Sequence, residues 1–216
     1  MIINSKNLVT FDLDGTLIDS AELVLHILNL QRANMQKELL DKKKLIPWIS
    51  LGGEDLISNA LDVSKKDCKR YVNEFREIYL NLKTPESLIF PGVVRFLDIL
   101  IRNNIIITLC TNKPRKLVQN SLQDTSLKKY FDFFVAGDDL NSKKPDSQNL
   151  LKCMNYYGVS KEKTLFIGDS KIDQKLANKC EVEFWFFSSG YNDGVDLSLA
   201  NFTFDSYLIF NKDFIE

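Results

Sequence analysis

The sequence is poor in the residues on which several common chemistries depend. It has one histidine, His26, in 216 residues, which weakens any mechanism that needs two. His26 lies in the apolar run Leu23-Val24-Leu25-His26-Ile27-Leu28 and reads as a structural helix residue. The four cysteines, Cys68, Cys110, Cys153 and Cys180, lie far apart and form no CxxC pair. That spacing excludes a zinc ribbon, a zinc finger and a thioredoxin motif. It does not make a disulfide framework either, so a reducing cytoplasm is the expected location. No apolar run approaches the ~18 residues of a membrane helix. The opening MIINSKNLVTFDLDGT lacks a charged-then-apolar signal pattern. Net charge is -1, so there is no global basic footprint for nucleic acid. Neither a nucleic-acid nor a membrane partner is expected. The phosphate loops GxGxxG and GxxxxGK[ST] are absent, and so is the nucleophile elbow GxSxG.

What remains is a globular composition, 44% hydrophobic and 26% charged. The length suits one large domain or one domain with an insert, and can bury roughly 70% of the unfolded surface. Short apolar runs predict strands at Leu8 to Asp12, Ile105 to Cys110, Phe133 to Ala136, Thr164 to Gly168, Phe184 to Phe187 and, more weakly, Phe202 to Phe204. Helix-length amphipathic segments alternate with them. One follows Pro91-Gly92 and runs from Val93 to Arg102. Pro114 suits the first turn of another. Asp146 or Ser147 would cap a third, and Ser170 would start a fourth. This alternation implies parallel pairing in a sheet covered on both faces. Residues 18–85 break the rhythm. Ala21 to Leu40, Glu54 to Leu61 and Asp67 to Leu82 read as helices, with turns at Pro47 and Gly52-Gly53. Lys42-Lys43-Lys44 reads as a solvated loop, and Thr84-Pro85 as a return hinge. The segment is therefore expected to be an inserted all-α module.

The chemistry-bearing residues fall at strand ends. Phe11-Asp12-Leu13-Asp14-Gly15-Thr16-Leu17 puts two carboxylates two residues apart where an apolar strand finishes, and Gly15 lets the backbone turn at once. In parallel sheets ligands bind outside the carboxyl ends of the strands. Taken alone, the pair also fits a turn with an Asx bond. The other ends agree with it, however. The second strand finishes in Cys110-Thr111-Asn112-Lys113. Lys144-Pro145 follows the third. The fourth finishes in Gly168-Asp169-Ser170, with Asp173 one helical turn on. Three carboxylates, one hydroxyl and one lysine converge on one sheet edge.

This ordered set resembles the haloacid dehalogenase superfamily: Asp12-Leu13-Asp14-Gly15-Thr16, then Thr111-Asn112, then Lys144-Pro145, then Gly168-Asp169-Ser170 with Asp173. The match is to its phosphatase branch, and within that to phosphoglycolate phosphatase-like proteins with a helical cap. Leu17-Ile18-Asp19-Ser20, Pro91-Gly92-Val93 and Gly190-Tyr191 are similar to the same branch. Two departures stand out: Ser147 replaces the second proline of the third motif, and Ala177-Asn178 replaces an Ala-Gly pair. Both touch packing rather than reacting groups.

The resemblance implies a doubly wound, Rossmann-like α/β core over residues 1–17 and 86–216, with an α-helical cap over 18–85. It implies Mg²⁺-dependent hydrolysis of a small phosphorylated metabolite through an aspartyl-phosphate. Asp12 would be the nucleophile, and the Asp14 side chain the general acid and then base. Thr111, Asn112 through its backbone, and Lys144 would hold the phosphate oxygens. Asp12 and Asp169 would ligate Mg²⁺ through their side chains and Asp14 through its carbonyl, with Asp173 behind them. The loop at Gly52, Gly53 and Glu54 falls where the family's cap presents a specificity loop. Three other readings are a sugar-phosphate mutase of the same superfamily, a non-catalytic phosphate-binding or scaffold protein, and a receiver-type signalling domain. Thr16 after Asp-Gly favours the phosphatase over the mutase. The complete set of acidic groups argues against loss of catalysis. A receiver domain would need neither the second aspartate nor the helical insert.

Overall fold

A computed structural model describes residues 2–210. Six strands form one sheet: β1 (Leu8–Phe11), β2 (Ile106–Cys110), β3 (Phe134–Val135), β4 (Thr164–Gly168), β5 (Glu183–Phe187) and β6 (Phe202–Phe204). Their order is β3-β2-β1-β4-β5-β6 and every pairing is parallel. All six lie within a residue of the apolar runs that predict them. Parallel strands are covered on both faces, so they read as continuous apolar stretches, and the residues of β1 and β4 are buried without exception.

Side-chain alternation separates two cores. Val9, Phe11, Ile107, Leu109, Leu165 and Ile167 face one way, against α5 (Val93–Arg102) and α6 (Arg115–Gln123). Leu8, Cys110, Phe166, Phe184 and Phe186 face the other way, against α7 (Ser147–Tyr157) and α8 (Lys171–Lys179). Asp146 caps α7, accepting from the Gln148 amide at 2.9 Å. Ser170 and Asp173 form a reciprocal capping box at the start of α8. β1 is central, and the winding reverses between β1 and β4. That reversal is the switch point at which doubly wound sheets bind ligands.

Between β1 and α5 lie four helices: α1 (Ala21–Asn34), α2 (Lys42–Ile49), α3 (Gly53–Leu61) and α4 (Cys68–Asn81). They share an apolar cluster of their own, which Leu117 and Tyr191 join from the sheet side. No strand interrupts them. Three local expectations are overturned. α1 ends at Asn34 rather than Leu40, because Gln36 takes a left-handed backbone (φ 55) that a helix cannot continue through. Lys42-Lys43-Lys44 is the first turn of α2, not a loop. Asp41 supplies its cap, accepting from the Lys44 amide at 2.8 Å. Pro47 lies inside α2 rather than at a turn. His26 is exposed on α1. Thr84 is tied to the sheet side, its amide donating to Asp124 Oδ2 at 2.9 Å. Among the described residues, no helix is long and apolar enough to cross a membrane.

Candidate active site

Asp12 follows β1 and Asp169 follows β4, on either side of the switch point. The register Phe11↔Ile167 fixes them as neighbours. Asp12, Asp169 and Asp173 each offer a carboxylate oxygen within 4.8 Å of the others, and all three are buried. Lys144 Nζ lies among them, 2.9 Å from Asp12 Oδ1 and 2.7 Å from Asp173 Oδ1. Burial pushes the Asp12 carboxyl up to about 7, against the pull of Lys144 and with a further push from Asp173. Burial likewise raises Asp169, reinforced by Asp173 and Asp12. Burial disfavours the Lys144 charge, but Asp12 and Asp173 outweigh it and hold its pKa above the ordinary lysine value.

Asp169 is locked in place. Its Oδ1 accepts from Thr16 Oγ1 at 2.7 Å and its Oδ2 from the Tyr191 amide at 2.7 Å. Asp173 accepts from Ser170 Oγ at 2.6 Å through Oδ2. Its cap bond thus leaves Oδ1 for Lys144.

Asp14 looks elsewhere. Its Oδ1 accepts from Ser20 Oγ at 2.6 Å and from Lys113 Nζ at 2.8 Å. The two carboxylates of the first motif therefore face different partners. Lys113 Nζ also donates to Tyr79 Oη at 2.5 Å, which joins the site to α4. Burial opposes the Lys113 charge, yet Asp14 and Tyr79 raise its pKa. Tyr191 Oη shares a hydrogen bond with Ser20 Oγ at 3.0 Å.

Thr111 is buried at the end of β2, and its Oγ1 accepts from the Lys113 amide at 3.2 Å. Asn112 donates from Nδ2 to Lys144 O at 3.2 Å and to Ser50 O at 3.3 Å. It thereby stitches the third motif to the end of α2, while its Oδ1 is buried without a partner. Gly52 and Gly53 border a cavity between the helices and the sheet, together with Asp12, Asp14 and Thr111. Glu54 is exposed in the first turn of α3 and is not part of that wall. A hydrogen-bonding role towards substrate for the Glu54 side chain has no support in this geometry.

Sequence reasoning did not single out Lys113, Ser20 or Tyr191 as site residues, although each stands in a stretch that carries the resemblance. Lys113 adjoins Thr111-Asn112, Ser20 ends Leu17-Ile18-Asp19-Ser20, and Tyr191 follows Gly190. Tyr79 had no local signal at all, since an aromatic on an amphipathic helix reads as core.

The model of the haloacid dehalogenase-like hydrolase family matches residues 9–187. The chain belongs to that family. Phosphoglycolate phosphatase 1 of Pseudomonas aeruginosa is 32% identical over 194 residues, spanning 87% of this chain and 71% of the relative. A crystal structure of a predicted phosphoglycolate phosphatase from Haemophilus somnus 129PT shares the fold with a TM-score of 0.85. It is 23% identical and covers 98% of this chain and 97% of its own. β-Phosphoglucomutase from Clostridium difficile does so with a TM-score of 0.81 at 20% identity, over 97% and 95% of the two chains. At these identities the two structures speak for the fold alone. The expected family, the α/β core and the assignment to enzymes rather than scaffolds are borne out.

Hydrolases of this family are expected to use a divalent cation, and the donor set fits one. All three carboxylates are hard oxygen donors, with no histidine or thiol among them. Three carboxylates against one ammonium leave two negative charges unmatched when all are ionised.

Proposed function

We propose that this protein hydrolyses a small phosphomonoester with Mg²⁺ through an aspartyl-phosphate on Asp12. The observation that carries the reading is the separation of the paired aspartates. Asp12 sits in the acidic cluster beside Lys144, while Asp14, two residues on, is held by Ser20 and Lys113. One carboxylate is thus disposed to act as a nucleophile and the other to handle a proton.

Asp12 and Asp169 would hold Mg²⁺ through carboxylate oxygens and Asp14 through its backbone carbonyl, with Asp173 supporting them from behind. Bound Mg²⁺ would neutralise charge on the transferring phosphoryl group. Asp12 attacks phosphorus, and the bond from phosphorus to the leaving oxygen breaks. Asp14 gives that oxygen its proton. In the second half Asp14 takes a proton from water, which attacks the aspartyl-phosphate and releases phosphate with Asp12 restored. Lys144, the Thr111 hydroxyl and the Asn112 amide of the backbone hold the oxygens on which charge develops. Residues 18–85 act as a cap that shapes the leaving-group side, over a core assigned to 1–17 and 86–216, of which residues 1 and 211–216 lie outside the described residues. Phosphoglycolate, which gives the Pseudomonas relative its name, is the first substrate to try. The scattered cysteines, which form no disulfide framework, support a reducing cytoplasm as the enzyme's location.

The test is a hydrolysis screen over phosphorylated metabolites, with and without Mg²⁺, using Asp12→Asn as control. Phosphate release is expected from a short phosphomonoester and is expected to stop with chelator and in Asp12→Asn. Full release in excess EDTA with metal removal verified, or turnover near wild type in the variant, would overturn the mechanism. Recovery of a phosphorylated isomer without free phosphate would favour the mutase.

A further inference from the structure

The cavity between the helices and the sheet measures about 70 Å³. At roughly 10–15 Å³ per water this is space for about five to seven waters, little more than a phosphoryl group with a short leaving group. Ile49, Ser50, Gly52 and Gly53, where α2 ends and α3 begins, supply one stretch of its wall. That stretch is held from the sheet side. Ser50 O accepts from Asn112 Nδ2 at 3.3 Å. Leu51 O and Gly52 O accept from Lys143 Nζ at 2.7 and 3.2 Å, and Asp55 Oδ2 accepts from the same nitrogen at 2.9 Å. An ammonium has three donors, so Lys143 places all of them on the helical segment. Its own backbone is anchored to α7. The Asp146 amide donates to Lys143 O at 3.0 Å, and the buried Asn149 donates from Nδ2 to Ser142 O at 3.2 Å.

Resting on the hydrolase reading above, we propose that Lys143 is a positioning residue that clamps residues 50–53 of the helical segment onto the loop that carries Lys144. The two lysines are consecutive and serve different sides of that loop. Lys144 meets Asp12 and Asp173. Lys143 meets Leu51, Gly52 and Asp55 and is not part of the cavity wall. Asn112 Nδ2, which holds Ser50 O, also donates to Lys144 O at 3.2 Å. The phosphate-holding loop and the rim of the cavity are thereby fixed to each other. The ion pair alone would be a weak tie, since the Lys143 and Asp55 side chains are 35% and 31% exposed and such pairs contribute little. The two carbonyls strengthen it, because hydrogen bonds from an ammonium are charge-assisted. They lie just past the C-terminal end of α2, where the helix dipole favours a cation, and Asp55 lies in the first turn of α3, where it favours an anion. Lys65, paired with Asp55 Oδ1 at 2.6 Å from within the helical segment, and Lys143 together hold the Asp55 carboxyl below its usual range. One carboxylate is thus shared between a lysine that crosses to the sheet and one that does not. With the clamp in place a short ester fits and a bulky one is crowded. With it released, residues 50–53 can withdraw, and the short ester loses its wall while the bulky ester gains room.

The experiment uses the full chain with Mg²⁺ as wild type, Lys143→Met, Asp55→Asn and Lys65→Met. It has two readouts. The first is the ratio of kcat/KM for the best short phosphomonoester of the hydrolysis screen to that for p-nitrophenyl phosphate. The second is amide hydrogen exchange over residues 50–56 with inorganic phosphate present, which needs no turnover. Lys143→Met is expected to lower the ratio about tenfold, the scale of one lost charge-assisted hydrogen bond, and to speed exchange there by a similar factor. Asp55→Asn, which keeps the carbonyl contacts, is expected to lower the ratio about threefold, the scale of a half-exposed ion pair. It decides the matter by the same two readouts if Lys143→Met does not fold. Lys65→Met removes the partner of Asp55 that does not cross to the sheet, and is expected to leave ratio and exchange unchanged. Equal losses on both esters in Lys143→Met would reduce Lys143 to a structural tie and overturn the proposal. So would wild-type ratio and exchange in that variant, or effects of Lys65→Met as large as those of Lys143→Met. Failure of the wild type to hydrolyse any phosphomonoester would overturn the hydrolase reading itself, and exchange would still decide whether Lys143 clamps the segment.

Discussion

Gly15 abuts the carboxylate of Asp169 so closely that a β-carbon on it would stand 2.3 Å from Oδ2. Gly190 closes in from the other side, where a β-carbon would stand 2.2 Å from Gly15 O. The turn after β1 and the loop after β5 thus clasp Asp169 between two residues without side chains. Gly15 also has φ +82, a conformation that costs other residues of the order of 1–3 kcal/mol. Gly15→Ala is expected to lose stability on that scale and turnover by about 100-fold, the scale of a misplaced reacting group. Urea unfolding and steady-state kinetics check the two effects. Wild-type turnover in the variant would show that Asp169 need not be held there.

The buried Asp12 makes stability depend on pH in the metal-free protein. Burial, above all, raises its carboxyl from 3.8 to about 7 in the folded chain. Between these values the unfolded chain has shed a proton that the folded chain keeps. The folded state binds more protons there, so Asp12 makes stability fall as pH rises from about 4 to 7. Asp169, raised by burial as well, acts in the same direction. Metal-free wild type is therefore expected to lose stability relative to Asp12→Asn over this window, by urea midpoints, and Mg²⁺ should narrow the difference. A difference constant with pH would contradict the assignment.

Lys144 is enclosed, with 2% of its side chain exposed, and it faces Asp12 and Asp173 together. Removing one member of a buried ionic group leaves the others uncompensated, at a cost of about 3–5 kcal/mol. Lys144→Met is expected to destabilise the protein by that amount at neutral pH and to abolish turnover. Denaturant unfolding with and without Mg²⁺ measures it. A variant as stable as wild type would mean that the carboxylates are already neutral there.

The loop before α3 divides into two parts. Glu54 is exposed, so Glu54→Ala is expected to leave the preference between phosphoglycolate and p-nitrophenyl phosphate unchanged. Gly52 lines the cavity with φ +59, and a β-carbon on it would come 3.4 Å from Asn112 O. Gly52→Ala is expected to reduce both activities by disturbing the contact of the helices with Asn112. A change in preference in Glu54→Ala would restore a role for that side chain.

The sheet was legible because buried parallel strands carry their signal locally. Val9 and Phe11 are apolar whichever neighbour they meet, and Asp12 follows them at the point where ligands are expected. The motif residues were legible for the same reason, each lying at the end of such a run. The helical segment was less so. Lys42-Lys43-Lys44 has the composition of a surface loop, and only the Asp41 side chain reaching back to the Lys44 amide makes it a helix start. Pro47 argues against a helix that tertiary packing nonetheless imposes through buried Leu45 and Ile49. Lys113 and Tyr79 are 34 residues apart in sequence, and their meeting beside Asp14 is a fact of folding that neither neighbourhood encodes.

The connection between the helices and the sheet has a practical use. The chain leaves at Ile18 and returns at Ile89, and the two residues face each other in an antiparallel bridge. Hydrogen bonds flank it, from Asp19 N to Leu88 O at 2.8 Å and from Phe90 N to Leu17 O at 3.0 Å. An excursion whose exit and entrance are clipped together presents the rest of the protein with the ends of a short loop, however long it is. Such sites tolerate exchange of what lies between them. Ile18 and Ile89 are therefore the seam along which to cut chimaeras, with the helices of one relative grafted onto the sheet of another.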